Sequence, residues 1–312
     1  MALMGAGLLT GCMPAPATVG RASQDPFEGG IGGTGIVGLL TDFGSLKVNG
    51  LRVELVNSTR ITTPFGAGSE DEIRIGTPLT ILATRKADRL IARNVRVSMP
   101  LRGTVQRAPG GGWRINGVRV RPEAGYIGTL VPGQRVEAQG LWESNGLVLS
   151  RVDPTEAAED LLAGVAAHDA DGKLFIEGVP VTLPTGQLKP AIGSYASFLG
   201  QFSDGVFTAR RVSSGRFPQS NMSLTQLSVE GFLNPGPVPS GYRIAGLGHA
   251  FTSGLELSRL ASERSLYFGP YVGRFDARRA YVVPQQQNIR RAALSEGLEG
   301  NLSAQAIPRE DS

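Results

Sequence analysis

The chain has 312 residues, enough for several small domains, and its 43 glycines and 20 prolines exceed ordinary globular usage without reaching that of structureless chains. With 6% aromatic and 19% charged residues, this balance favours a turn-rich all-β protein over a helical or disordered one. The net charge is +4, and the 31 basic residues are spread along the chain between acids. A nucleic-acid binder usually concentrates its charge in a patch with interleaved aromatic residues, so nucleic acid is not an expected partner.

A short apolar stretch leads to Cys12, the single cysteine of the chain. Residues 1–11 carry no charged side chain, and Leu9-Thr-Gly-Cys12 resembles the lipobox of bacterial lipoproteins, where a peptidase cuts before the lipidated cysteine. The cysteine would supply the thiolate that accepts the lipid. The basic residues expected at the start of a signal peptide are missing, which a start site upstream of Met1 would explain.

The residues after Cys12 are small, polar and rich in Pro and Gly, which predicts a flexible tether. Met13, and not Asp, follows the cysteine, which by resemblance to enterobacterial lipoproteins favours the outer membrane. No other apolar run approaches the roughly 20 residues that span a bilayer. The expected location is therefore the cell envelope, with the protein lipid-anchored at Cys12, on the periplasmic face or the surface of the outer membrane.

A repeated hairpin organises the rest of the chain. In its clearest copy, Trp113-Arg-Ile-Asn-Gly-Val-Arg-Val120, an Asn-Gly pair predicts a type I′ turn, and alternation puts apolar side chains inward and arginines outward. The glycine at the second position of the turn recurs at residues 50, 117, 178 and 246, which indicates an array of related units. Glu177 and Ala245 tolerate positive φ poorly, so their two turns are predicted to be type I with a bulge.

Each hairpin is preceded by an opening strand and followed by a strand, a turn and a returning strand, about five strands in all. The predicted fold is all-β, with tandem small five-stranded antiparallel barrels of OB-like or related form, because closure removes sheet edges. A helix capped at Thr155 is predicted in residues 154–162, and a brief helix near Asn288 to Leu294 at the start of the tail. The predicted boundaries are 1–12 for the signal peptide, 13–34 for the tether, 35–98, 99–154, 161–214 and 228–284 for the four β units, the last divergent, and 285–312 for a disordered tail.

The order of these motifs also resembles a known family. Gly32-Gly-Thr-Gly-Ile36, then Asp42-Phe-Gly-Ser-Leu-Lys-Val-Asn-Gly50 and the repeated hairpins are similar to bacterial exported proteins built from repeats of the domain of unknown function number 5666. The resemblance covers roughly residues 30–283 and is strongest in the first three units. It implies tandem β repeats and an exported location, and it transfers no catalytic residue.

Few residues offer catalytic or metal-binding chemistry. The chain has two histidines, too few partners for a recognisable serine triad or metal centre, so no catalytic residue, metal or cofactor is predicted. His168 stands beside Asp169 and Asp171, which read either as a weak Ca²⁺ site or as ordinary turn residues. His249 takes the place of an inward apolar residue in the fourth unit and is predicted to be a hydrogen-bonded histidine at a barrel mouth.

The second unit carries an excess of arginine. Residues 100–154 hold seven arginines against four acids, and alternation puts Arg114, Arg119 and Arg121 on the outer face of the hairpin. Guanidinium groups bind carboxylates, sulfates and phosphates bidentately. The hypothesis is that this face binds an anionic envelope glycan or a lipopolysaccharide phosphate; the alternative is a solvated strand face.

These observations predict a membrane-anchored envelope lipoprotein that acts as a non-enzymatic binding or structural module for a protein or an anionic glycan. An enzyme acting on envelope polysaccharide is the alternative, since glycosidase carboxylates need not form a recognisable motif. Nucleic-acid binding through OB-like barrels is the third and least favoured interpretation.

Overall fold

The computed structural model describes residues 32–217, 223–236 and 241–295. The predicted signal peptide, Cys12, most of the tether and residues 296–312 lie outside the described residues. Within the described part the chain forms 24 strands and one α-helix, which confirms the all-β prediction.

The strands follow the repeat. The first unit contains β1 (Gly33–Asp42), β2 (Leu46–Val48), β3 (Leu51–Glu54), β4 (Arg60–Thr63), β5 (Gly66–Ala67), a 3₁₀ turn (Glu70–Glu72), β6 (Pro78–Lys86) and β7 (Arg89–Val97). The second contains β8 (Leu101–Arg107), β9 (Trp113–Ile115), β10 (Val118–Ile127), β11 (Arg135–Glu143) and β12 (Gly146–Pro154). The third contains β13 (Asp160–His168), β14 (Leu174–Ile176), β15 (Val179–Thr182), β16 (Tyr195–Ser203) and β17 (Val206–Ser214). The fourth contains β18 (Leu224–Gly231), β19 (Leu233–Pro235), β20 (Tyr242–Ile244), β21 (Phe251–Ser253), a 3₁₀ turn (Leu257–Leu260), β22 (Ser265–Pro270), β23 (Phe275–Ala277) and β24 (Arg279–Val282), and helix α1 (Gln287–Ser295) follows it.

The first three units close into five-stranded rings. In the second unit β8 pairs with β9, β9 with β10, β10 with β12, β12 with β11, and β11 again with β8. The equivalent pairings close the first unit and the third. In each ring all pairings are antiparallel except that of the third strand with the returning strand, which is parallel. The OB-like barrel is thus built by closure, so no strand of the ring leaves an edge.

The predicted hairpins of the first three units form as the alternation requires. Leu46, Val48, Leu51 and Val53 are buried, and the corresponding apolar residues of units two and three are buried or half-buried. Both turn residues have positive φ in all three hairpins. The bulged turn predicted at Glu177 is therefore wrong: Glu177 has φ 46° and Gly178 has φ 83°. A hydrogen bond from the Val165 amide to Glu177 Oε1, at 2.9 Å, stabilises that conformation.

The first residue of each of these turns folds its side chain back over a glycine of the opening strand. A Cβ added to Gly38 would lie 2.0 Å from Asn49 Oδ1, and one added to Gly103 would lie 2.1 Å from Asn116 Oδ1. Both asparagines are almost fully buried. Their amides also reach a neighbouring unit, since Asn49 Nδ2 donates to Ser228 Oγ at 2.9 Å and Asn116 Nδ2 donates to the Leu161 carbonyl at 3.1 Å. The turn residue therefore holds two barrels together as well as setting the register of one.

The fourth unit departs from the predicted hairpin at Ala245-Gly246. Its strand β20 pairs back with β19, β21 pairs in parallel with β23, and no pairing joins β20 to β21 among the described residues. The glycines between these strands pack against other units instead: a Cβ on Gly246 would lie 2.5 Å from Trp142 Cδ1, and one on Gly248 would lie 2.5 Å from the Tyr195 nitrogen. The fourth unit does not close into a ring here, because the segment with Gly246 and Gly248 packs against the second and third units.

The four units form two pairs and not an extended row. β1 of the first unit pairs in parallel with β18 of the fourth, and β8 of the second pairs antiparallel with β13 of the third. The hydrophobic cores follow these pairs: one cluster spans units two and three, and Leu266 and Phe268 of the fourth unit join the core of the first. Barrels of about 60 residues bury only about 60% of their unfolded-chain surface and are marginal alone, so the pairing adds core that a single barrel lacks.

A buried network of two arginines and two glutamates joins three units to the C-terminal helix. Arg264 Nη1 and Arg290 Nη2 donate to the two oxygens of Glu123, the latter at 2.7 Å, and Arg264 Nε donates to Glu230 at 2.8 Å. The second oxygen of Glu230 accepts the Leu39 amide at 2.9 Å. All four side chains are at most 2% exposed. Glu123 comes from the second unit, Glu230 and Arg264 from the fourth, Leu39 from the first and Arg290 from α1.

Three expectations about the connecting segments are corrected. Gly33 and Thr34, assigned to the tether, already belong to β1. The predicted helix at Thr155 is wrong: residues 155–159 form no helix and β13 already begins at Asp160, and Arg135 donates to the Ala157 and Ala158 carbonyls of this segment at 3.0 and 3.2 Å. Helix α1 confirms the brief helix predicted there, but the tail is not disordered from residue 285, since α1 buries Arg290 and Leu294.

Replacing Asn116 with Gly keeps a residue that tolerates positive φ and removes only the side-chain amide. We expect the free energy of unfolding to fall by about 1–3 kcal/mol, because the Arg102 and Leu161 carbonyls lose their donor. Urea unfolding monitored by tryptophan fluorescence measures the loss. Asn145→Gly, at an exposed turn, is the control and should change stability by much less. Equal losses in the two variants would contradict the tethering role.

Replacing Arg290 with Ala leaves buried carboxylates without one of their partners. We expect a loss of about 3–5 kcal/mol in the free energy of unfolding, the usual effect of breaking a buried ion pair from one side. Ile289→Ala, on the same helix and 51% exposed, is the control for helix propensity. If both variants unfold at the same urea concentration as the wild type, the network does not hold the C-terminal helix in place.

Candidate functional site

A groove of about 800 Å³ lies where the second, third and fourth units meet. One wall is the outer side of the β9–β10 hairpin, a second is the turn between β14 and β15, and a third is the segment from Tyr242 to Phe251. This volume is within the range of binding sites for small molecules and sugars, roughly 300–1,000 Å³. Because the groove spans three units, it exists only in the packed assembly.

Two of the three predicted arginines line the groove. Arg114 on β9 and Arg119 on β10 are direct cross-strand partners, and both are exposed. Arg114 Nη1 donates to the Gly117 carbonyl at 2.6 Å, whereas Arg119 has no acidic partner among the described residues. Like charges directly opposite each other on a sheet are destabilising. The pair therefore concentrates positive charge on this wall, and neither guanidinium forms an ion pair with an acid of the described structure.

The third predicted arginine has a different role. Arg121 is exposed on the same strand face, as predicted, but its Nε and Nη2 donate to the two oxygens of Glu143 at 3.2 and 2.9 Å. It does not line the groove. A guanidinium group already paired in this bidentate manner has fewer N–H donors left for an external anion, and the structure does not bring the three arginines together in one groove.

The groove contains an arginine that sequence reasoning missed. Arg243 on β20 is exposed and lines the groove from the fourth unit, together with Arg114 from the second. The outward direction of Arg243 could have been predicted from the sequence. In Tyr242-Arg-Ile244, as in Trp113-Arg-Ile115, alternation places the arginine on the face opposite its two apolar neighbours. Only the packing of the units shows that the two positions share one groove.

Glu177 is the one carboxylate among the residues that line the groove. Burial raises its pKa to about 7, although the amide of Val165 and the charges of Arg243 and Arg216 act in the opposite direction. The side chain therefore exchanges its proton near neutral pH. Its charge state decides whether the groove is purely basic or partly neutralised.

His249 lies at the fourth-unit end of the groove and is held by aromatic neighbours. Its Nδ1 is 2.8 Å from the Tyr271 hydroxyl, and its ring is 5.4 Å from that of Phe217. Burial, and then the positive charge of Arg216, lower its pKa to about 4, so the imidazole is neutral at pH 7. The prediction of a hydrogen-bonded histidine is confirmed.

The Asp169 turn forms its hydrogen bonds within the chain. Asp169 Oδ1 accepts the amides of Asp171 and Lys173 at 3.1 and 2.7 Å, as an Asx turn does. Across the described ranges, no group of three or more His, Cys, Asp and Glu side chains is placed to hold a metal ion. The structure thus gives the aspartate a turn role and brings no further ligand to it.

The chain was compared with models of protein families, with curated proteins and with solved structures, and none of the three comparisons finds a match. The resemblance to repeats of the domain of unknown function number 5666 stays a prediction. Among the described residues, no helix is both long and apolar enough to span a bilayer.

Proposed function

We propose that this protein is a non-enzymatic binding module of the bacterial cell envelope, and that its groove binds an anionic glycan through Arg114, Arg119 and Arg243. The observation that carries the proposal is the grouping of these three arginines, from two different units, around one groove of about 800 Å³. Each side chain can offer a planar pair of N–H donors to a sulfate, phosphate or carboxylate group.

The position of the arginines in the barrel supports an extended ligand. Arg114 and Arg119 lie on the second and third strands of a five-stranded barrel, and that face binds oligosaccharides and oligonucleotides in OB-folds. Single-stranded nucleic acid is usually held by aromatic side chains on which its bases stack. The aromatic side chains that line the groove, Tyr242, His249 and Phe251, come from the fourth unit, and the Arg114–Arg119 wall has none, so a glycan fits that wall better than stacked bases do.

An enzyme acting on envelope polysaccharide is the alternative, and Glu177 is the residue that would favour it. A carboxyl group with a pKa of about 7 is suited to act as a general acid. Most glycosidases, however, place two carboxyl groups across the bond that is cleaved. Glu177 has no carboxylate companion among the residues that line the groove, so binding without cleavage is the better-supported function.

Replacing Arg114, Arg119 and Arg243 with Ser tests the proposal directly. A heparin hexasaccharide is a suitable sulfated probe and maltohexaose its neutral counterpart. We expect the triple variant to lose affinity for the heparin hexasaccharide by a hundredfold or more, since hydrogen bonds to charged groups contribute about 1.5–3 kcal/mol each. The wild type should not bind maltohexaose. Isothermal titration calorimetry at fixed ionic strength measures both.

A variant with the same loss of charge outside the groove distinguishes a specific binding site from general electrostatic attraction. Arg52, Arg60 and Arg121 are exposed and lie outside the groove, so replacing them with Ser removes the same charge. An equal loss of affinity in this control would contradict a specific site. Tighter binding of single-stranded DNA than of the hexasaccharide, lost in the groove variant, would replace the glycan with nucleic acid.

We propose that the module is anchored through lipid on Cys12, which the tether separates from the first barrel. We expect the wild type to fractionate with the membranes of a bacterial host and Cys12→Ser to be found in the soluble fraction, because a lipid anchor buries acyl chains that a serine cannot carry. Immunoblotting of membrane and soluble fractions measures the shift, and Thr10→Ser is a conservative control beside it. Membrane retention of Cys12→Ser would contradict the anchor.

A further inference from the structure

We propose that Glu177 couples ligand binding in the groove to proton uptake, because its carboxyl group accepts an anionic glycan only as the neutral acid, which then donates a hydrogen bond to the ligand. The inference rests on the proposed function of the groove. It assigns Glu177 as a specificity-determining residue, a role that the arginine positions alone do not reveal.

The geometry leaves one oxygen of Glu177 for the ligand. Oε1 accepts the Val165 amide at 2.9 Å, and the side chain is folded over Gly164, where an added Cβ would lie 2.4 Å from Glu177 Cγ. Oε2 has no hydrogen-bond partner among the described residues, and the side chain lines the groove. The carboxyl group is thus fixed in orientation by one oxygen and presents the other.

In the first two units the residue equivalent to Glu177 is a hydrogen-bond donor to a neighbouring unit. Asn49 and Asn116 occupy the equivalent turn position and donate an amide N–H to an acceptor in a neighbouring unit. In the third unit no hydrogen bond of Glu177 reaches another unit within the described structure, and the position faces the groove. A carboxyl group there can reproduce the donor role of the asparagines only when it is protonated. The external ligand takes the place that a neighbouring barrel takes in units one and two.

The charges around Glu177 affect the pH at which its carboxyl group loses its proton. Arg243 on β20 and Arg216, which precedes the fourth unit, both favour the carboxylate, and the hydroxyl of Tyr195 on β16 is also close enough to interact. Arg114 and Arg119 line the same groove from the second unit, and His249 is neutral at pH 7. Burial outweighs the cations and raises the pKa of Glu177 to about 7. A bound polyanion adds negative charge beside the carboxyl group and raises this pKa further.

The direction in which affinity changes with pH follows from the pKa of about 7 in the free protein and the higher pKa in the complex. Above pH 7 the free protein carries a carboxylate in the groove, so binding an anion requires the uptake of a proton and affinity falls as pH rises. Below pH 6 the carboxyl group is already protonated and affinity levels off. The steepest possible change is tenfold in affinity per pH unit, which corresponds to one proton taken up for each ligand bound.

The test measures binding of the heparin hexasaccharide from pH 5.5 to 8.5 at constant ionic strength, a range in which sulfate groups stay ionised. We expect the affinity of the wild type to fall about tenfold or more from pH 6 to pH 8.5. Glu177→Gln, which mimics the neutral acid, should bind across the whole range as the wild type does at pH 6. Calorimetry at pH 8 in two buffers of different ionisation enthalpy measures the number of protons taken up for each ligand bound. We expect close to one for the wild type and none for Glu177→Gln.

The outcomes separate this inference from the proposed function. A wild type that binds through the groove arginines without pH dependence, or a Glu177→Gln variant that keeps the wild-type slope, overturns the role of Glu177 and leaves the groove intact. Failure of the wild type to bind the hexasaccharide at any pH overturns both. His168→Gln, at the single histidine of the third unit, is the control and should retain the slope; loss of the slope there would also overturn the assignment.

Discussion

The structure depends on the contact between a turn side chain and a glycine of the opening strand. Asn49 over Gly38 and Asn116 over Gly103 fill the space that a Cβ would occupy, and each amide continues into a neighbouring unit. A barrel of about 60 residues is marginal alone, so a contact that fixes the hairpin of one barrel and also joins that barrel to another unit stabilises both. Where Glu177 replaces the asparagine, the same position opens onto the groove.

A buried charge network completes this arrangement beside the first of these contacts, since Glu230 accepts the amide of Leu39, the residue after Gly38. Glu123 and Glu230 come from different units, and each is neutralised by Arg264 and Arg290, which follow much later in the chain. Buried ion pairs contribute little to stability over apolar packing, but removing one partner is strongly destabilising. The network therefore favours one packing of the units, and the chain needs its C-terminal helix to satisfy it.

The groove is a product of the same packing, since its walls are the exposed faces that remain when units two, three and four are brought together. The open ring of the fourth unit is part of it, because the segment with Gly246 and Gly248 leaves the hairpin pattern to pack on Trp142 and Tyr195. Arg114 and Arg119 were found from alternation because one hairpin places both. Arg243 and Glu177 were missed as site residues because each belongs to a separate hairpin, and no local pattern relates hairpins that lie tens of residues apart.

The sequence by itself determined the hairpin strands of the first three units and the Asn-Gly turns of the first two, because period-2 alternation and Asn-Gly turns act over a few residues. It also predicted the outward direction of the arginines and the helix near residue 290. Only the tertiary structure decided that the first unit pairs with the fourth, that Arg121 is held by Glu143, and that Glu177 carries a pKa of about 7. These features depend on contacts between residues far apart in the chain, where burial and charge are properties of the assembled units.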